Sequence, residues 1–94
     1  MKKLANVHPG VVLQEEFLTP MEMSQNALAR AMNVPPRRIN EIVHGERSVT
    51  ADTALRLSFV FGTTPQFWMS LQADYDLEEA AKHVNLTDLR RLAA

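Results

Sequence analysis

Ser24-Gln25-Asn26-Ala27-Leu28-Ala29-Arg30-Ala31-Met32-Asn33-Val34-Pro35-Pro36-Arg37-Arg38-Ile39-Asn40-Glu41-Ile42-Val43-His44-Gly45 holds two short helical patterns with a very tight break between them. The Ser24 hydroxyl suits the N-cap of a helix running Gln25 to Met32, with Leu28 and Ala29 on its buried side. Asn33 ends that helix, because asparagine tolerates the left-handed conformation better than other non-glycine residues. Val34 precedes a proline and is pushed extended. Pro35 and Pro36 cannot lie inside a helix but suit its first turn. A second helix then starts at Pro36, buries Ile39, Ile42 and Val43, and ends at Gly45. Two short helices joined by a three- to four-residue turn form a helix-turn-helix, here spanning about residues 24–44. Ala29 supplies the small side chain needed where the helices cross.

The flanking sequence continues in helices. The first is expected to begin near Pro9, to run through Val12, Leu13 and Phe17 on one face, and to stop before Pro20. A fourth is capped by Thr50 and runs through Ala54, Leu55, Leu57, Ser58 and Phe61 to Gly62. A fifth is capped by Thr64, opens on Pro65 and carries Phe67, Trp68, Leu71 and Tyr75. Thr87 is read as the cap of a short sixth, Asp88–Leu92. No segment sustains period-two alternation and glycine is scarce, so the fold class is all-α: a five- to six-helix domain with a helix-turn-helix. Residues 1–94 are read as one domain, with helix 64–81 contributing to dimerisation.

The chain has 94 residues, 46% of them hydrophobic and 22% charged, and no cysteine. A chain this short buries only about 60–65% of its unfolded surface, so dimerisation would add stability. Without cysteine there is neither a disulfide framework nor a thiolate metal site. No apolar run approaches the roughly 20 residues of a membrane span. Met1-Lys2-Lys3-Leu4-Ala5 and the residues after it lack the apolar core of a signal peptide, so a cytoplasmic location is expected. The net charge of −1 argues at first against nucleic acid. Its distribution argues the other way: residues 24–56 hold five arginines against Glu41, Glu46 and Asp52, while residues 57–94 are net acidic.

On the second motif helix the early exposed positions are Arg37, Arg38, Asn40 and Glu41. Arginine can engage both guanine acceptors in the major groove, asparagine does the same for adenine, and glutamate accepts from the cytosine amino group. These four are the candidate base-contacting residues. Ser24, at the start of the first motif helix, and Arg47, just after the second, flank them as candidate phosphate contacts. Two arginines on a helix are usually only a solvated face; an apolar-backed turn behind them favours DNA. Trp68, Leu71 and Tyr75 form a stripe at helical spacing that suits a monomer core, a dimer interface, or both.

Ser24-Gln25-x-x-Leu28-Ala29-x-x-x-Asn33-Val34 followed by Ile39-x-x-Ile42-x-x-Gly45 resembles the phage-repressor, or Xre-type, helix-turn-helix family. The resemblance implies a phosphate contact from Gln25. That family usually has glycine where this chain has Asn33. His8-Pro9-Gly10, Glu15-Glu16-Phe17-Leu18, Gly45-Glu46-Arg47-Ser48-Val49-Thr50, Asp52-Thr53-Ala54-Leu55-Arg56-Leu57, Phe67-Trp68 and Tyr75-Asp76-Leu77 narrow the likeness to HigA-type antitoxins, over about residues 8–81. Val11 stands where an acidic residue is common. This resemblance implies a dimeric antitoxin that represses its own operon and neutralises a small RelE-like toxin that cleaves messenger RNA.

Other classes fit less well. His8, His44 and His83 are far apart and show no metal-ligand spacing, so no metal or cofactor is expected. Glu15-Glu16 and Glu78-Glu79 are sequence neighbours that diverge on a helix, which makes them poor acid–base pairs and argues against an enzyme. A plain repressor without a toxin is the alternative. The expected partners are inverted-repeat duplex DNA, a second copy of the chain, and the toxin.

Overall fold

A computed structural model describes residues 6–93, so the expectation about Met1–Ala5 lies outside the described residues. Five helices follow one another, with no strand among the described residues. Helix α1 opens as Pro9–Val12 and continues as a π-helical stretch, Leu13–Leu18. The others are α2 (Gln25–Met32), α3 (Pro36–Val43), α4 (Ala51–Phe61) and α5 (Pro65–Ala81).

The expected caps are in place. Ser24, Thr50 and Thr64 accept from the backbone N–H of Ala27, Thr53 and Phe67 at the starts of α2, α4 and α5. Asn33 is left-handed, with φ 56° and ψ 49°. The Val34 N–H reaches back to the Ala29 carbonyl at 3.0 Å, closing the α2 terminus. An Asn33→Val substitution is expected to destabilise the fold by about 1–2 kcal/mol, since a β-branched residue resists positive φ, whereas Asn33→Gly is tolerated. Thermal melting checks this; an unchanged melting point for the valine variant contradicts the turn.

Two elements depart from the sequence reading. Helix α1 was expected to be regular, but its second half carries i→i−5 bonds, as in Thr19 N–H to Gln14 carbonyl at 2.9 Å. The wider winding brings Leu13 and Leu18, five residues apart, onto one face, and both are fully buried. A regular α-helix would place them well apart around its axis. The expected sixth helix, Asp88–Leu92, is absent. A 3-10 turn, Leu86–Asp88, stands there instead, and Leu89 is already extended. The Asn85 side chain takes the Thr87 N–H at 3.1 Å, so capping starts two residues early. Residues 80–93 are all exposed, so no packing supports a longer helix.

The core gathers Leu13, Leu18, Leu28, Ala29, Ile39, Ile42, Ala54, Leu57 and Trp68. Phe17 meets Phe61 and Trp68 with ring centroids 4.8 and 5.1 Å apart. Gln72 is buried and satisfied: it accepts from the Val49 N–H at 2.7 Å and donates to Asp76 at 2.8 Å, tying α5 to the loop after α3.

His8 is the N-cap of α1. Its Nδ1 accepts the Gly10 N–H at 2.9 Å, and its ring meets Tyr75 edge-on at 4.9 Å. Burial lowers its pKa below the usual 6.5, against an opposing pull from the Asp76 carboxylate. The unfolded histidine titrates at its ordinary value, so the unfolded chain takes up the proton first as pH falls. Stability from this residue is full above pH 6.5 and is lost as pH falls toward the folded pKa. His8→Asn keeps a side-chain acceptor but cannot titrate. Urea unfolding at about pH 7 and about pH 5 should show a smaller acid loss for that variant than for the parent; equal losses would remove His8 from the account.

Candidate nucleic-acid interface

Helix α3 lies against α1 and α2, and its first turn faces outward. Ile39 and Ile42 anchor it with no exposure, so Arg37, Arg38, Asn40 and Glu41 are carried on a fixed base.

Arg37 is wide open, with 83% of its side chain exposed. Its Nε donates to one Glu41 oxygen at 2.9 Å, and Arg47 contacts the other at 2.7 Å. The two guanidinium groups hold the Glu41 carboxyl below its ordinary pKa. Glu41 thus links a candidate base contact to a candidate phosphate contact. Arg38 turns toward α4, where its Nη1 meets Asp52 at 2.7 Å. Asp52 also takes Arg56 at 2.9 Å, and these arginines lower the Asp52 pKa. These pairs are exposed and contribute little in water, so a phosphate can replace either carboxylate readily.

Asn40 donates to the Gln25 carbonyl oxygen at 3.1 Å. The Gln25 amide in turn donates to Gln14 at 3.5 Å, and Gln14 donates to Thr19 at 3.0 Å. The network orients Asn40 yet uses only one of its two N–H groups. One donor and the carbonyl oxygen stay open, which is the pair needed to bracket adenine. Ser24 spends an acceptor on its cap and keeps its O–H for a phosphate oxygen.

Structure adds residues that the sequence reading passed over. Arg56 donates to the Met32 carbonyl at 2.9 Å, binding α4 to the end of α2, and Gln14 extends the amide chain. The Asp52–Arg56 spacing of four was a visible signal; Gln14 had none, because its partner is eleven positions away. Of the α5 stripe, Trp68 is fully buried and donates to Thr63 at 2.8 Å, so it offers no surface to a second copy. Leu71 and Tyr75 are half-buried against the same core. Among the described residues no group of three histidine or acidic side chains could hold a metal ion, and no helix is long and apolar enough to cross a membrane.

A left-handed turn, a buried helix pair and an outward arginine-rich first turn define a helix-turn-helix domain of the repressor class. A profile of the helix-turn-helix family matches residues 15–68. Virulence-associated protein I of Dichelobacter nodosus is 54% identical over 74 residues, 79% of this chain and 68% of that protein. Antitoxin HigA-1 of Vibrio cholerae is 38% identical over 71 residues, 76% of this chain and 67% of that one. The structure of Pseudomonas aeruginosa antitoxin HigA with the higBA promoter is similar at a TM-score of 0.88 and 39% identity, covering 95% of this chain and all of that one. The chain belongs to the Xre-type helix-turn-helix family, in its HigA antitoxin branch.

Proposed function

We propose that this protein is a dimeric, sequence-specific repressor of its own operon and the antitoxin to a small RelE-like, messenger-RNA-cleaving toxin. The observation that carries the DNA half is the first turn of α3. Arg37 projects into solvent, and Asn40 keeps a free donor and acceptor on a helix that the core holds still. Arg37 and Arg38 read base edges. Glu41 positions Arg37 and Arg47 and is free to accept from cytosine when they move to DNA. Ser24, Gln25 and Arg47 hold phosphates. The HigA relative bound to its promoter supports this reading. For the toxin half, the support is that the chain is helical from Pro9 to Ala81, so contact would use a preformed surface and move the backbone little. The acidic run from Asp74 to Glu79 would steer a basic partner, and the DNA face would stay free.

Binding isotherms on the gene's own upstream duplex and on a scrambled duplex test the assignment. Arg37→Ala should cost about 1–3 kcal/mol on the cognate duplex and relax preference at one base pair. Arg47→Ala should weaken both duplexes alike and flatten the salt dependence. Equal losses on both duplexes for Arg37→Ala would leave it a phosphate contact. Co-expression with the neighbouring gene product tests the toxin half: a stable complex is expected, and no complex with any adjacent small protein would leave a plain repressor.

A further inference from the structure

Asp52 sits in the first turn of α4, outside the helix-turn-helix, yet it holds a residue of α3. Its Oδ1 accepts from Arg38 Nη1 at 2.7 Å and from Arg56 Nε at 2.9 Å. Arg56 is itself tied down. Its Nη1 donates to the Met32 carbonyl at 2.9 Å and lies 3.4 Å from the Asn33 carbonyl, so it caps the end of α2. A line of polar contacts therefore runs from the left-handed turn through Arg56 and Asp52 to Arg38.

The contact uses one corner of the Arg38 guanidinium. Nη1 is taken, while Nε and Nη2 donate to no described residue. Those two form a side-on fork that spans the O6 and N7 acceptors of guanine. Arg37 differs. Its Nε, one half of the same fork, is spent on Glu41, and its side chain is 83% exposed against 27% for Arg38. Arg38 is thus the arginine whose side-on guanine edge is both open and held in place.

Resting on the reading of α3 as the base-reading helix, we infer that Asp52 is a specificity-determining residue, which aims Arg38 at a guanine edge and withholds it from phosphates. Two effects combine. On the cognate duplex, Arg38 has already given up its rotamer freedom, and guanine adds two hydrogen bonds without breaking the pair with Asp52. On any other duplex, the ligand left for Arg38 is a phosphate. Taking Arg38 from Asp52 then exchanges one anion for another, with little net gain in water. It also leaves the Asp52 carboxylate beside the DNA backbone with only Arg56 to offset it, a cost borne where guanine is missing. Asp52 acts through Arg38 and is a positioning residue. If it only supported the start of α4, its loss would weaken every duplex alike.

Binding isotherms on a set of duplexes, each with one base pair of the gene's upstream site replaced, test this. Arg38→Ala first marks the guanine that Arg38 reads, as the pair whose replacement the variant no longer registers. Asp52→Asn keeps the shape and loses the charge. Its preference should fall about tenfold at that same pair and at no other. On random duplex its affinity should rise about threefold or more, with a salt slope steeper by about 0.9, as one more arginine reaches a phosphate. In the Arg38→Ala background the effect of Asp52→Asn on preference should vanish. Circular dichroism confirms that the variants are folded, which the 57% exposure of the Asp52 side chain favours. Asp52→Ser repeats the test with a residue that also suits a helix start. No pair marked by Arg38→Ala, an Asp52→Asn variant that weakens all duplexes alike or keeps its preference at the marked pair, or an effect that survives without Arg38 would each overturn the inference. A parent that does not tell the upstream duplex from a random one overturns the base-reading helix as well. A discriminating parent beside an indifferent Asp52→Asn overturns the role of Asp52 alone.

Discussion

Gly10→Ala is expected to destabilise the protein by about 3 kcal/mol or more and to weaken DNA binding with it. A Cβ at residue 10 would lie 1.8 Å from the Ile42 carbonyl oxygen and 2.7 Å from its carbon. Those atoms belong to the backbone of α3, so no rotamer change relieves the overlap. Helix α1 must lift away from the last turn of α3, and the helix that carries Arg37 and Asn40 loses its support. The same shift breaks the His8 cap, because the Gly10 N–H is its donor. Urea unfolding measures the first effect and a duplex titration the second. A midpoint equal to the parent's would mean that α1 and α3 do not meet as described.

The second large effect is expected from Trp68→Ala, at about 3–5 kcal/mol. Trp68 is wholly enclosed, packs against the tilted ring of Phe17, meets Phe67 edge-on, and donates its indole N–H to Thr63. Truncation leaves a cavity among aromatic rings and an unpartnered Thr63 hydroxyl. Because the residue belongs to the monomer core, the loss should be the same at low and at high protein concentration. A loss seen only where the chain is dimeric would place Trp68 in an interface instead.

Legibility from sequence follows the range of the interactions. The caps at Ser24, Thr50 and Thr64, the left-handed Asn33 and the prolines opening α3 and α5 are all local, and each was readable from neighbouring residues. The π-helical turn was not, because it is dictated by where Leu13 and Leu18 must go in the assembled core. The terminal segment misled for a related reason: Thr87 looks like a cap, but Asn85 captures its N–H first, and nothing covers the helix that would follow. In the candidate interface, residue types announced Arg37, Arg38, Asn40 and Glu41, yet not their restraints. Asp52 holds Arg38 from fourteen positions away, and Gln25 holds Asn40 from fifteen. The α5 stripe shows the limit most plainly. A helix with apolar residues on two faces gives no single periodic signal, and the aromatic face drew attention although it is the inner one.

One measurement bears most directly on the central claim, that α3 reads base edges and does so twice. A hydroxyl-radical footprint of the protein on the DNA upstream of its own gene should show two protected patches, related as an inverted repeat. Their centres should lie about 10–10.5 base pairs apart, or a small multiple of that spacing, since one recognition helix per copy must enter successive major grooves on one face of the duplex. Arg37→Ala should erase preference at the same position in both patches. Protection spread evenly along the duplex, or footprints that do not change with sequence, would contradict the account.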